Sequence, residues 1–253
     1  MTIAAGIRCF GGIVFGADTE ETFGEIRNRV NKIVSLFDPH GRSTVLITGA
    51  CDNGHVMDAL IERIFDSVIS KKPTHNHIFG QLVRDVMLEF HKKDLRDYPS
   101  DKIGVDLLVA AKLPSEQCVE AWSTNSTIVR KMYAKEVLGL GGLVQYFLDY
   151  LYVYQMSLDD GVLTMAQLLT FAKKRVSAIG GDSYVSYLCD DGSLHEKNFT
   201  FSASEEGLFD YFLSRGRQLL LATGNKKLTP EQYDEISRKF IEELKWYRQY
   251  GIS

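Results

Sequence analysis

An α+β fold is expected from the sequence, as a four-layer αββα sandwich with an added C-terminal helix. Three observations predict it. The first fifty residues hold several short, β-branched runs that are apolar almost without interruption, so they need cover on both faces. The elements then alternate in blocks: strands, two helices, strands, two helices, strands, helices. No linker or low-complexity stretch divides them. Two sheets stacked face to face with helix pairs outside satisfy that order and bury the apolar strands. One domain over 1–253 is expected, with a core of about residues 2–200 and a helical extension of about 203–253.

In chain order, Ile3–Ile7 and Ile13–Ala17 read as strands joined by the Gly11-Gly12 turn. Val30–Phe37 and Val45–Ala50 follow, separated by Pro39-His40-Gly41. Helical spacing of Val56, Leu60, Ile61, Ile64, Phe65 and Val68 predicts a helix capped by Asp52 or Asn53. A second helix runs through Ile78, Leu82, Val83, Val86, Met87 and Phe90 towards a stop at Asp97-Tyr98-Pro99. Strands return at Val105–Leu113, Cys118–Trp122 and Thr127–Tyr133. The Gly139–Gly142 turn opens a third helix through Tyr154, and a fourth spans roughly Leu163–Val176. Tyr184–Cys189, the Asp190-Asp191-Gly192 turn and the segment after it read as a hairpin. The tail is helical over about Glu205–Leu221 and again from Thr229. There Pro230 takes the first helical position, and Thr229 and Gln232 form a capping box.

Composition narrows the function classes. A chain of 253 residues with 45% hydrophobic and 25% charged residues is that of an ordinary globular protein. A net charge of −4 gives no basic field for nucleic acid. No apolar run approaches the roughly 18 residues that span a bilayer. The apolar N-terminal stretch is short, is broken by Arg8 and lacks a basic leader, so a cytoplasmic protein is expected, with no membrane partner. The four cysteines are scattered without a CxxC pair. His75 and His77 form an HxH without further ligands, so neither a metal site nor a cofactor is expected.

The chemistry centres on Met1-Thr2. Threonine is a poor nucleophile unless a base takes its proton, and an N-terminal threonine carries its own base. The α-amine has an ordinary pKa of about 7.7–8.0, so a useful fraction is neutral near pH 7. A lysine nearby would lower that value and stabilise an alkoxide, and a carboxylate would hold the lysine in place. A backbone N–H at a glycine would bind the oxyanion. Thr2, Asp18, Lys32 and Gly49 each lie at the start or end of a predicted strand. Many proteins begin Met-Thr, and strand-end Asp and Lys are common; the pattern as a whole carries the reading. Threonine is also small enough for Met1 to be trimmed, which would make a propeptide unnecessary.

The stretch Thr2-Ile-Ala-Ala-Gly6-Ile through Ala17-Asp18 resembles the start of mature proteasome β-type subunits and related bacterial peptidases, within the N-terminal nucleophile hydrolases. The Thr2-to-Asp18 spacing is as that family has it. Lys32 before Ile33-Val34 matches the family lysine, with a slightly shorter loop between. Thr48-Gly49-Ala50-Cys51 matches the strand that supplies the oxyanion N–H. The resemblance extends to about residue 200. It implies Thr2 as nucleophile and base, Lys32 tuning it, Asp18 orienting Lys32 and the Gly49 N–H binding the oxyanion. It also implies substrate bound as an added strand, with Thr22 on one side and Gly49 and Cys51 on the other. Val30, Ile47 and Cys51 would then line a mid-sized apolar pocket, with Glu21 close enough to alter its preference. A peptide or unfolded-protein substrate is implied, in a homo-oligomeric ring or ring-like spiral, and a partner ATPase is compatible with it. The lack of a long N-terminal extension argues against a gate-forming ring subunit.

The departures from the family are specific. Its second polar cluster, a serine in a Gly-Ser-Gly turn and then an aspartate and a serine ahead of a Gly-Gly pair, reads here as Leu140, Val176 and Ile179. Ser177 or Asp182 would have to compensate. Two other readings therefore stand beside the peptidase: an amidase of small amides using the same Thr2, and a non-catalytic relative that kept the fold.

Overall fold

The computed structural model describes residues 3–23, 26–37, 43–51, 53–96, 104–139, 141–176, 179–199 and 203–250. Residues 21–23, 26–29, 141–143, 203–210, 212–213 and 246–250 are described by backbone alone. The described residues form two compact units, 1–200 and 201–253.

In the first unit, β1 (Ile3–Cys9) and β2 (Gly12–Asp18) form the expected hairpin, with Ala4 opposite Ala17 and Cys9 opposite Gly12. Every residue of β2 is buried, as its continuous apolar run requires. A short ribbon follows, β3 (Glu20–Phe23) paired to β4 (Ile26–Arg29). The strand expected over 30–37 is shorter than read: β5 spans Ile33–Phe37, and the Val30 N–H bonds the Thr19 carbonyl instead. β6 (Thr44–Cys51) leads into α1 (Gly54–Lys71), capped by the Asn53 side chain accepting from the His55 N–H. α2 is Asn76–Lys93. The expected stop at Asp97-Tyr98-Pro99 lies outside the described residues.

β7 (Val105–Lys112), β8 (Glu120–Asn125) and β9 (Ile128–Lys131) return as strands. The sequence reading did not identify β10 (Lys135–Gly139), which pairs with β1. The third helix is also shorter than expected: α3 ends at Leu151, and the chain turns through Gln155 at a φ of 62°. α4 (Leu158–Arg175) begins earlier than its apolar spacing suggested, because the Ser157 hydroxyl caps it by accepting from the Asp160 N–H. β11 (Ser183–Cys189) and β12 (Leu194–Phe199) make the expected hairpin.

Among the described residues there are two antiparallel five-stranded sheets, ordered β10-β1-β2-β11-β12 and β5-β6-β7-β8-β9. Three apolar clusters account for the core. One joins β6 and β7 to α1 and α2 through Ile47, Leu60, Phe79 and Leu107. A second joins β1, β2 and β11 to α3 and α4 through Ile3, Val14, Leu169 and Val185. The third draws on both sheets, through Ala4, Phe15, Leu46 and Leu108.

The second unit is a helical hairpin of α5 (Ala203–Gly224) and α6 (Pro230–Tyr250). The capping box is present: Thr229 N–H donates to Gln232 Oε1 at 3.0 Å, and Gln232 N–H donates to Thr229 Oγ1 at 3.4 Å. Arg215 of α5 pairs with Glu243 of α6 at 2.8 Å. Among the described residues no helix is long and apolar enough to cross a membrane.

Candidate active site

Asp18 closes β2 and is fully buried. The hairpin register lays the first residue of β1 beside it, and the Ile3 N–H donates to Asp18 Oδ1 at 3.0 Å. The Lys32 ammonium donates to the same oxygen at 3.1 Å, with Lys32 only 7% exposed. That ammonium also donates to the Glu20 carbonyl. A buried ion pair of this kind survives only with further hydrogen bonds to satisfy the charges.

Lys32 is held by its backbone as well. Its carbonyl accepts from the Thr48 hydroxyl at 3.0 Å, and Ile33 pairs with Thr48 across β5 and β6. Gly49 therefore follows directly on the residue that anchors Lys32. The β5 pairing stops at Thr48, while β7 pairs along β6 as far as Cys51. Gly49, Ala50 and Cys51 thus have a described strand partner on one side only. A side chain at Gly49 would lie 2.6 Å from the Asp106 carbonyl oxygen and 2.6 Å from Leu107 Cδ2, so close strand packing excludes one.

The residues just ahead of β11 also lie beside the Asp18 carboxylate. Ile179 is buried and Val176 packs partly buried against the same apolar cluster. This segment is tied to Thr19, the residue after β2: Thr19 N–H donates to the Asp182 carbonyl at 3.2 Å, and Asp182 N–H donates to Thr19 Oγ1 at 2.8 Å. Lys173 donates to the Gly181 carbonyl at 2.7 Å. The Glu20 carboxylate lies against Gly180, its Oε2 only 2.1 Å from where a β-carbon would be. Burial pushes the Asp18 pKa above its ordinary value. The Lys32 charge opposes this most strongly, followed by hydrogen bonds from the Ile3 amide, Lys32 and the Gly180 amide. The Gly180 N–H approaches the carboxylate without a well-formed bond to Oδ2, which has no hydrogen-bond partner.

Asp18, Lys32 and the Ile3 amide are thus brought together, and Gly49 is one residue from the group that fixes Lys32. Thr2 and Leu140 lie outside the described residues, as does Ser177. Thr22 sits in β3 opposite Arg27, described by backbone alone. The proposed pocket residues divide. Val30 is exposed. Cys51 is half-buried, its Sγ accepting from the Asn53 N–H at 3.3 Å. Ile47 is fully buried in the cluster under α1. Three participants had not been read from the sequence. The Ile3 amide and the Glu20 carbonyl carry no side-chain signal, whereas the Thr48 hydroxyl beside Gly49 is a signal the sequence does contain.

Among the described residues no group of three or more His, Cys, Asp or Glu could hold a metal. His75 Nδ1 lies 3.6 Å from Glu116, and its ring stacks on His77. None of the four cysteines is in a disulfide, and burial pushes the Cys9 thiol up to about 12.

No protein-family profile matches the sequence, and no curated protein does. Solved structures do match. The Anbu (Gly-1) mutant from Hyphomicrobium sp. strain MC1 superposes with a TM-score of 0.76 at 14% identity, covering 90% of this chain and 100% of that one. The chain shares the Anbu fold. Anbu from Yersinia bercovieri, described as an ancestral beta-subunit, gives 0.72 at 13% identity over 90% of this chain and 98% of its own. The helical assembly of the Anbu complex from Pseudomonas aeruginosa gives 0.68 at 11% identity, covering 91% and 99%.

Proposed function

We propose that the chain is a threonine-type N-terminal nucleophile hydrolase that cleaves peptide bonds through an acyl-enzyme on Thr2, once Met1 has been removed. The observation that carries this reading is the convergence of Lys32 and the Ile3 amide on one oxygen of Asp18. Thr2 is joined to that amide by a single peptide bond. The Thr2 hydroxyl attacks the substrate carbonyl while its own amine accepts the proton. The oxyanion rests on the Gly49 N–H, the leaving amine takes the proton back, and water then cleaves the ester to free Thr2. Lys32 favours the neutral form of the Thr2 amine, and Asp18 holds Lys32 in place.

Substrate enters as an added strand between Thr22 of β3 and Gly49–Cys51, the part of β6 that extends beyond β5. Val30 and Cys51 line its pocket, with Ile47 buried behind Cys51 in the cluster under α1. The three core clusters support a four-layer αββα arrangement for residues 2–200, with 203–253 as its helical extension. The protein works in the cytoplasm on peptides or unfolded chains, as a homo-oligomeric ring or spiral. The helical assembly recorded for a structural neighbour supports the oligomer. An ATPase partner would supply unfolded substrate.

Intact mass after treatment with a peptide epoxyketone or boronate tests this reading. The expected result is a chain lacking Met1 that gains one inhibitor, and a Thr2→Ala chain that gains none and is at least about 10⁴-fold slower on fluorogenic peptides. Retained Met1, or labelling that survives Thr2→Ala, overturns it. Thr2-dependent cleavage of small amides with peptides left intact replaces the peptidase by an amidase.

A further inference from the structure

We propose that Ser183 is a positioning residue for Asp18: its hydroxyl donates a hydrogen bond to Oδ2, the carboxylate oxygen that Lys32 and the Ile3 amide leave untouched. The two residues are direct partners across β2 and β11, in a register that also pairs Gly16 with Val185 and Val14 with Tyr187. Paired residues of an antiparallel ladder share a face and hold their β-carbons roughly 4.5–5.5 Å apart. Val14 and Val185 identify that face, because both belong to the cluster under α4. Asp18 and Ser183 continue it at alternate positions towards the site.

Both residues are 0% exposed, and both Asp18 Oδ2 and Ser183 Oγ are buried without a hydrogen-bond partner. A hydroxyl in an apolar cluster is costly unless it finds an acceptor. The nearest unsatisfied acceptor in register is its own cross-strand partner. A serine hydroxyl has three staggered positions and one proton to give, so rotation about χ1 suffices to form the bond. The geometry has a chemical consequence. The Ile3 amide and Lys32 both hold Oδ1, so the carboxylate is anchored through one oxygen. A donor on Oδ2 anchors the second. The turn that packs Val176 and Ile179 against this cluster supplies no side-chain donor from those positions.

Among the described charged groups around Asp18, Lys32 pairs with it, Lys173 is held on the Gly181 carbonyl, Asp182 bonds Thr19 through its backbone N–H, and the Glu20 carboxylate lies against Gly180. The consequence for catalysis rests on the hydrolase reading, but the contact does not, so its test does not use activity. Aspartate carboxyl carbons are labelled with ¹³C in the full chain, Asp18 is assigned by its loss in Asp18→Asn, and its titration is followed by NMR. A hydrogen bond to the charged form favours that form. Ser183→Ala should therefore raise the proton affinity of Asp18 about tenfold, one pH unit. Ser183→Cys keeps the shape with a weak donor and should move the midpoint the same way, whereas Ser183→Thr keeps the hydroxyl and should leave it unchanged. A midpoint unmoved in both the Ala and Cys chains overturns the proposal, as does a Thr chain that moves as far as the Ala chain. Epoxyketone labelling of the unmutated chain fails or succeeds independently, so loss of the hydrolase reading is distinguishable from loss of this one.

Discussion

Asp18 is approached from two sides that differ in kind. From β1 and the residue just before β5 come an amide and an ammonium, and the ammonium is itself held by the Glu20 carbonyl. From the segment ahead of β11 comes the bare backbone of Gly180, with Val176 and Ile179, which precede it in the chain, packed into the apolar cluster. The first side sets charge; the second sets shape and dryness. A carboxylate can remain ionised against an apolar wall only if its other side is strongly charged, because burial alone raises its pKa. The polar side therefore carries the electrostatic burden of the site, and the apolar side makes each interaction on it stronger by excluding water. Perturbing one side at a time should have unequal effects.

The largest effect is expected from Lys32→Met, which removes the charge from the polar side while keeping much of the length. Asp18 would then be a buried carboxylate with no ion-pair partner, a change that costs about 3–5 kcal/mol. The denaturation midpoint at neutral pH measures it, and hydrolysis should fall by about 10²-fold or more. The loss has a pH signature. Because the Asp18 pKa is raised in the folded state, the native chain holds this proton more tightly than the unfolded chain. The contribution of Asp18 to stability therefore falls as pH rises from the ordinary aspartate value through the folded one. Without Lys32 that window reaches higher, so Lys32→Met should lose less stability in acid than at neutral pH. In the unmutated chain, the acid limb of activity should lie above the usual aspartate range. A Lys32→Met chain equally destabilised at every pH would mean that the pair contributes packing and not charge.

The two sides were also unequally legible in the sequence. The hairpin of β1 and β2 could be read because its runs are apolar and a Gly-Gly turn joins them. Once Asp18 and Lys32 are set at strand ends, the register brings them together. β10 was missed because Lys135-Glu136-Val137-Leu138-Gly139 buries only two of five residues, too few for a periodic signal. The ribbon of β3 and β4 is not legible in the sequence because Glu20–Phe23 and Ile26–Arg29 are largely polar and, among the described strands, pair only with each other. The groups that complete the polar side are backbone atoms, the Ile3 N–H and the Glu20 carbonyl, and every residue has those. On the apolar side, Val176 and Ile179 were noted as departures, and their role as core could be seen only with α4 packed beside them. Ser183 was not noticed, because its meaning depends on which residue lies opposite.

Two glycines, one belonging to each side, give the smaller effects and the sharpest contrast. At Gly49 a β-carbon would meet the Asp106 carbonyl oxygen and Leu107 Cδ2 at 2.6 Å. The oxygen belongs to a paired strand and cannot withdraw without spreading β6 from β7. Gly49→Ala should therefore cost about 1–3 kcal/mol, and it should reduce turnover by displacing the N–H assigned to the oxyanion. At Gly180 the atoms nearest a β-carbon all belong to the Glu20 carboxylate, the far end of a flexible side chain. Gly180→Ala should move that carboxylate aside, with a stability change within about 1 kcal/mol. Thermal melts of the two variants read this difference, and turnover should follow the same order. If Gly180→Ala proves the more damaging, the Glu20 carboxylate is held against Gly180, and the apolar wall holds charge in place as well as setting shape.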